Sequence, residues 1–149
     1  MTNLSSDSPR RYRGYQRFAT IPVPASTTIY NGGAIQRNAG VAQKATGAGT
    51  TFFGLATEQA TQAGASVVNT DRVQCCTLGE VELTVAGNGG NLAVSDVGAA
   101  VYLSDDNTFT LVSTSNQQIG KVVEVAPEAI GQASGKCWVY FEGVQHRSI

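Results

Sequence analysis

From residue 27 onward, apolar and polar positions alternate in short runs separated by Gly, Asn, Asp and Ser. Residues 28–30, 34–37, 41–46, 52–57, 66–69, 72–78, 80–86, 100–104, 108–112, 118–126 and 136–142 have the length and β-branched content of strands, and the residues between them have turn composition. In residues 80–86, Val81, Leu83 and Val85 fall on one face and Glu80, Glu82 and Thr84 on the other, which sets one face on a core and one in water. Many short strands with frequent turns predict an all-β fold, a small β-barrel or β-sandwich. Helix is expected only as short pieces near residues 91–97 and 127–130. Residues 20–24 carry Pro22 and Pro24, two apart, which holds that link extended.

The chain also matches itself at an offset of 66. Aligned without gaps, residues 32–60 fall on residues 98–126 with Gly32/Gly98, Ala34/Ala100, Gly54/Gly120, Glu58/Glu124 and Ala60/Ala126 identical, and Ile35/Val101 and Phe53/Ile119 similar. Both segments place a Gly-x-Ala/Val-x-Glu-x-Ala run after a predicted hairpin. A glycine inside a strand marks a bulge or a close backbone approach, so the expectation is two pseudo-equivalent β motifs packed as halves of one barrel or sandwich.

Composition agrees with strands over helices: 16 Val and 15 Thr stand against 7 Leu and 1 Met. The 149 residues suit a single domain. No apolar run has the length of a membrane-spanning helix and the first residues lack the apolar core of a signal peptide, so the expectation is a soluble chain made in a cytoplasm. The net charge of −1 gives the whole chain no electrostatic reason to bind nucleic acid or an anionic membrane. That charge is unevenly spread. Within the first 17 residues, Arg10, Arg11, Arg13 and Arg17 face only Asp7, whereas the rest holds six basic and ten acidic residues. The division expected is an extended basic N-terminal arm over residues 1–19 and a β-rich domain over residues 20–149. With Tyr12, Tyr15 and Phe18 interleaved among its arginines, the arm has the composition of a segment that lies on another surface. Its removal is expected to leave the β domain folded.

The chemical inventory is sparse. His146, the single histidine, sits near the C-terminus and reads as a surface residue rather than a general base. Asp105 and Asp106 stand in a Ser-Asp-Asp-Asn run of turn composition, and the spacing of a calcium loop is missing. Gly47-Ala48-Gly49 and Asn88-Gly89-Gly90-Asn91 lack the spacing and Lys of a phosphate cradle. Asn3-Leu4-Ser5 is formally a glycosylation acceptor and is expected to stay unmodified. Cys75 and Cys76 are neighbours whose side chains point to opposite faces of a strand, which makes a shared disulfide or metal difficult; free buried thiols are expected, with a Cys76–Cys137 bridge as the alternative. No enzyme activity, cofactor or metal is expected. Around Trp138 and Tyr140 the last strand carries large side chains on both faces, which means burial on both sides or contact with another subunit.

One resemblance goes beyond these patterns. The run Gly98-Ala99-Ala100-Val101-Tyr102-Leu103-Ser104-Asp105-Asp106, followed by Thr108-Phe109-Thr110-Leu111, Ile119-Gly120-Lys121-Val122-Val123-Glu124-Val125 and Val139-Tyr140-Phe141-Glu142-Gly143, resembles the C-terminal half of the small capsid decoration, or cement, proteins of tailed bacteriophages. Upstream, Thr28-Ile29-Tyr30-Asn31-Gly32-Gly33-Ala34-Ile35 and Phe53-Gly54-Leu55-Ala56 are similar to its N-terminal half. The resemblance implies a β-tulip-like domain, a homotrimer on the outer surface of the virion head, and the major capsid protein as partner, with no catalytic residues. In that setting Arg10, Arg11, Tyr12, Arg13, Tyr15, Arg17 and Phe18 would form a capsid-binding arm, and Trp138 and Tyr140 a subunit interface. The competing expectation is an OB-like module for single-stranded nucleic acid, against which stand the acidic body and the low aromatic content of 7%.

Overall fold

The computed structural model describes residues 3–62 and 71–147. It is all-β, with strands β1 (Tyr12–Pro22), β2 (Thr27–Ile29), β3 (Ala34–Asn38), β4 (Val41–Lys44), β5 (Phe52–Ala56), β6 (Ala60–Gln62), β7 (Arg72–Ala86), β8 (Ala100–Asp105), β9 (Thr108–Thr110), β10 (Gln117–Val125) and β11 (Ser134–Glu142). The places where short helices were expected hold single 3₁₀ turns at Val94–Asp96 and Pro127–Ala129. The strand expected at residues 66–69 lies outside the described residues.

β7 organises the molecule. Residues 72–78 and 80–86, expected as two strands, form one strand of 15 residues that runs through Gly79. Its C-terminal half belongs to a closed barrel of five strands in the order β7–β11–β10–β8–β9, and a short parallel pairing of Val85 and Ala86 with Phe109 and Thr110 closes the ring. The N-terminal half belongs to an open antiparallel sheet in the order β1–β7–β5–β3–β4, with β2 and β6 paired separately. β7 feeds two cores, one from each half of the strand, and the alternation of successive side chains parts Cys75 from Cys76 where the halves meet. Val81, Leu83 and Val85, all 0% exposed, point into the barrel together with Leu103, Ile119, Val139 and Phe141. Val73 and Cys75 point into a second core with Ile21, Ile29, Ile35, Ala42 and Phe53. Adjacent Cys75 and Cys76 therefore occupy different cores, and both are free, as is Cys137.

The internal match is a structural duplication carried by backbone geometry. Gly32 and Gly98 both take left-handed φ, +94° and +92°. Gly32 N–H donates to Ala56 O and Gly98 N–H to Val122 O, each at 2.8 Å. In return Ala56 N–H reaches Gly33 O and Val122 N–H reaches Ala99 O, each at 2.9 Å. Ile35 pairs with Gly54 as Val101 pairs with Gly120, and the register slips at Phe53 as it does at Ile119. Thus β4–β3–β5 repeats β9–β8–β10. The two motifs are not halves of one barrel: the second is closed into the ring and the first lies in the open sheet. Buried Gln117 joins them, accepting from Phe52 N–H (2.7 Å) and donating to Thr46 O (2.9 Å).

Candidate functional site

The basic segment expected to stand apart from the domain is an edge of it. Its boundary at residue 19 falls inside β1, which pairs with β7 from Tyr12↔Val81 to Pro22↔Arg72. Arg13 donates to Glu80 (2.9 Å) and Glu124 (3.3 Å), and Arg11 meets Glu82 at 3.3 Å. Both guanidinium groups lie over the Trp138 ring, Arg13 at 4.3 Å and Arg11 at 5.6 Å from its centroid. The register explains the cluster: Trp138 stands opposite Glu82 on one side and Glu124 on the other, so all share the outer face of the barrel. The neighbouring carboxylates hold the Arg13 proton more tightly than usual, chiefly through the hydrogen bond to Glu80. Trp138, expected at a subunit interface, is thus covered by arginines of its own chain. Tyr140 lines a shallow cleft of about 290 Å³ with Lys121, Glu142 and Arg147, and its hydroxyl meets Glu142 at 3.2 Å. Tyr12 turns inward against Phe141, and its hydroxyl is buried without a hydrogen-bond partner.

Three arm residues remain outside this packing. Between Arg13↔Glu80 and Arg17↔Leu78 the β1 register slips, and Gly14, with φ +72°, begins a bulge. The bulge throws Tyr15 outward, leaving it 74% exposed, and Phe18 is 51% exposed. Arg17 lies between them, exposed and with no side-chain partner among the described residues. The structure therefore splits the seven expected arm residues into Arg10, Arg11, Tyr12 and Arg13, engaged with their own domain, and Tyr15, Arg17 and Phe18, which face solvent on a strand backed by β7.

Ahead of β1 the chain is a strap. Leu4 is buried, its N–H donates to Asp106 Oδ1 (2.9 Å), and its carbonyl accepts from Lys44 (3.4 Å). Ser8 N–H donates to Asn31 O (2.8 Å), while Arg10 donates to Gly32 O (2.9 Å) and Asn107 (2.7 Å) and lies over the Phe109 ring. The strap thus ties the start of the first repeat to the β8–β9 hairpin of the second. Asp106, expected as a turn residue, does sit in that hairpin, but it is 2% exposed. Burial raises its carboxyl above the ordinary range, outweighing the Leu4 N–H and the nearby Lys44 and Arg10, which act the other way. An acid with a raised folded-state value binds more protons folded than unfolded. Its contribution is therefore fully present in acid, below the ordinary carboxylate range, and declines as pH rises through the folded value. Asp106→Asn keeps an oxygen for the Leu4 amide and should remove that decline, which thermal melts across the acidic range would read directly. An unchanged pH slope would assign the decline to another group.

The remaining candidate groups do not converge. Glu124 pairs with Arg13, His146 meets Thr77 Oγ1 at 2.8 Å, and Asp106 is held by the strap. Burial pushes the Cys75 thiol up to about 12 and those of Cys76 and Cys137 to about 11, so all three stay protonated at neutral pH. Among the described residues no group of three His, Cys, Asp or Glu side chains could hold a metal, and no helix is long and apolar enough to cross a membrane. Leu4, Glu80 and Glu82, which fix the strap and the outer-face cluster, were not singled out by sequence reasoning. The polar face of the Glu80–Thr84 alternation was the available signal for the two glutamates. Comparison with protein-family models and with curated proteins gives no match.

Proposed function

We propose that this chain is a phage capsid decoration protein that binds the outside of a head as a homotrimer and bridges neighbouring major capsid subunits. The observation that carries the reading is the Tyr15–Arg17–Phe18 surface: two aromatic side chains, 74% and 51% exposed, flank an arginine with no side-chain partner among the described residues, on a strand fixed to the domain. Aromatic and arginine side chains dominate binding energy at protein interfaces. A small protein repeated over a lattice needs only modest contacts per subunit, since several act together. The resemblance of most of residues 27–143 to decoration proteins supplies the partner. Against the nucleic-acid alternative, the Trp138 ring on the outer face of the barrel is covered by Arg11 and Arg13 of its own chain and so offers no free face on which a base could stack.

The test is a triple variant, Tyr15→Ser, Arg17→Glu, Phe18→Ser, added to heads lacking decoration protein. Because these side chains are exposed, the variant should keep the wild-type circular dichroism spectrum. Truncating interface anchors costs about 2 kcal/mol or more each, so co-sedimentation with heads should fall at least about tenfold. Retention equal to wild type at every salt concentration would overturn the reading.

A further inference from the structure

One tripeptide occurs twice in the sequence, and the fold treats its two copies in opposite ways. Asn31-Gly32-Gly33 and Asn88-Gly89-Gly90 are the only two places where glycine follows asparagine. Such a step has a chemistry of its own. The main-chain nitrogen of the glycine can close a ring onto the asparagine side-chain carbonyl, and the missing Cβ leaves the approach unhindered. Whether the two atoms meet depends on what else holds that nitrogen.

At the first copy it is held on every side. Gly32 is buried, with φ of +94°, and its N–H donates to Ala56 O at 2.8 Å, a bond that ties the approach to β3 to the end of β5. Asn31 is fixed as well: its N–H donates to Asp7 Oδ1 (3.0 Å), and its carbonyl accepts from Ser8 N–H (2.8 Å). Gly33 N–H closes the turn onto Tyr30 O (3.1 Å). The strap lies so close to Gly32 that a Cβ there would fall on Ser8 O. For the Gly32 nitrogen to reach the Asn31 side chain, the buried bond to Ala56 must break and the strap must lift. A buried polar group left without its partner is costly.

The second copy is free of these restraints. Asn88, Gly89 and Gly90 are exposed, at the tip that follows β7. The Asn88 side chain makes no hydrogen bond among the described residues. Gly89 N–H has one main-chain contact, to Gly87 O at 3.2 Å, the long end of the hydrogen-bond range, and water replaces it when it opens. A Cβ at Gly89 or Gly90 would meet nothing within 4 Å, so no other part of the molecule presses on the tip. Its base is anchored: Gly87 N–H donates to Ala133 O (2.9 Å) and Leu92 N–H to Gln132 O (2.8 Å). The tip can therefore rearrange while the barrel stays as it is.

We propose that Asn88 is a site of spontaneous modification through a cyclic imide, and that the fold shields Asn31 from the same reaction. The Gly89 nitrogen attacks the side-chain carbonyl carbon of Asn88. A C–N bond forms, the proton lost from the Gly89 amide passes by way of solvent to the departing NH₂ group, and ammonia leaves. Water then opens the ring at either carbonyl, giving aspartate or isoaspartate. The only co-reactant is water. Either product adds one negative charge to a chain of net charge −1, and isoaspartate also routes the main chain through Cβ. This inference does not rest on the capsid reading.

The full-length protein is incubated at mildly alkaline pH in water enriched in heavy oxygen, folded in one sample and in denaturant in the other, and then cleaved with trypsin. Residues 18–37 report Asn31, and residues 73–121, sequenced by a fragmentation that separates isoaspartate from aspartate, report Asn88. In the folded protein, labelled aspartate and isoaspartate should accumulate at Asn88 at least about tenfold faster than at Asn31, the worth of one buried main-chain hydrogen bond. In denaturant the two identical tripeptides should react at closely similar rates. Isoelectric focusing of aged wild-type protein should resolve an acidic species that Asn88→Gln lacks. Equal rates at the two sites in the folded protein, or label at Asn88 confined to aspartate, would overturn the proposal. So would an acidic species undiminished in Asn88→Gln, or a preference for Asn88 that persists in denaturant, where the fold can no longer choose.

Discussion

Deleting residues 1–18 should cost the protein most of its stability. The deletion removes Leu4, the buried side chain of the strap, and takes Tyr12 from its place against Phe141, 6.4 Å between ring centroids. Each large apolar side chain withdrawn from a core costs about 1.5–3 kcal/mol. It also strips β1 from the stretch of β7 between Cys76 and Val81, leaving that edge unpaired, and takes both arginines off the Trp138 ring. Together these losses are comparable with the roughly 5–15 kcal/mol that hold a domain of ordinary stability. Thermal melts followed by circular dichroism should show an early, broadened transition or none. A shorter deletion of residues 1–9 spares β1 and should lower the midpoint by less. If the 1–18 deletion melts where the intact chain does, β1 is dispensable and the segment is a detachable arm after all. A corollary concerns head binding: loss of attachment on truncation would report unfolding, so only exposed point variants separate contact from fold.

That outcome marks where sequence reasoning stops. The β class was legible because Val81, Leu83 and Val85 alternate with Glu80, Glu82 and Thr84, and the structure buries the first set fully. The duplication was legible in a handful of identities because the matching glycines answer to backbone constraints, a left-handed φ at Gly32 and Gly98 and a close approach at Gly54 and Gly120. The fate of the basic segment was not legible. Arginine, tyrosine and glycine in alternation have the same composition whether the opposing carboxylates belong to another protein or to Glu80, Glu82 and Glu124, which lie some 70 to 110 residues away in the same chain. Gly79 gave a false break because glycine weakens a strand in general, while here pairing with β11 and β1 on either side carries β7 through it. Asp106 was legible as a turn residue, but its burial depends on Leu4, which is 102 residues distant.

Gly120→Ala and Gly54→Ala should both be severely damaging, and for one shared reason. At Gly120 a Cβ would fall on the Tyr140 carbonyl oxygen, with the Phe141 Cα close behind; at Gly54 it would fall on the Cys76 carbonyl oxygen, with the Thr77 Cα behind. Both obstacles are main chain in the adjoining strand, β11 in one case and β7 in the other, so no rotamer change relieves them. The strands must part, or the bulge at Ile119 or Phe53 must be rebuilt with loss of the adjoining ladder hydrogen bonds. Losses of this kind belong to the exceptional class above about 4 kcal/mol, which for a chain of this size corresponds to a fall in melting temperature on the order of 10 °C or more. Gly120→Ala should be the worse of the two, because its clash lies inside the closed ring, whereas the open sheet around Gly54 has a free edge at β4 that can yield. Gly90→Ala is the control: its Cβ meets nothing and its backbone is not left-handed, so it should stay within about 0.5 kcal/mol of wild type. A Gly120→Ala protein that melts with the Gly90→Ala control would mean that β10 and β11 do not approach as described, and the equivalence of the two repeats at this position would go with it.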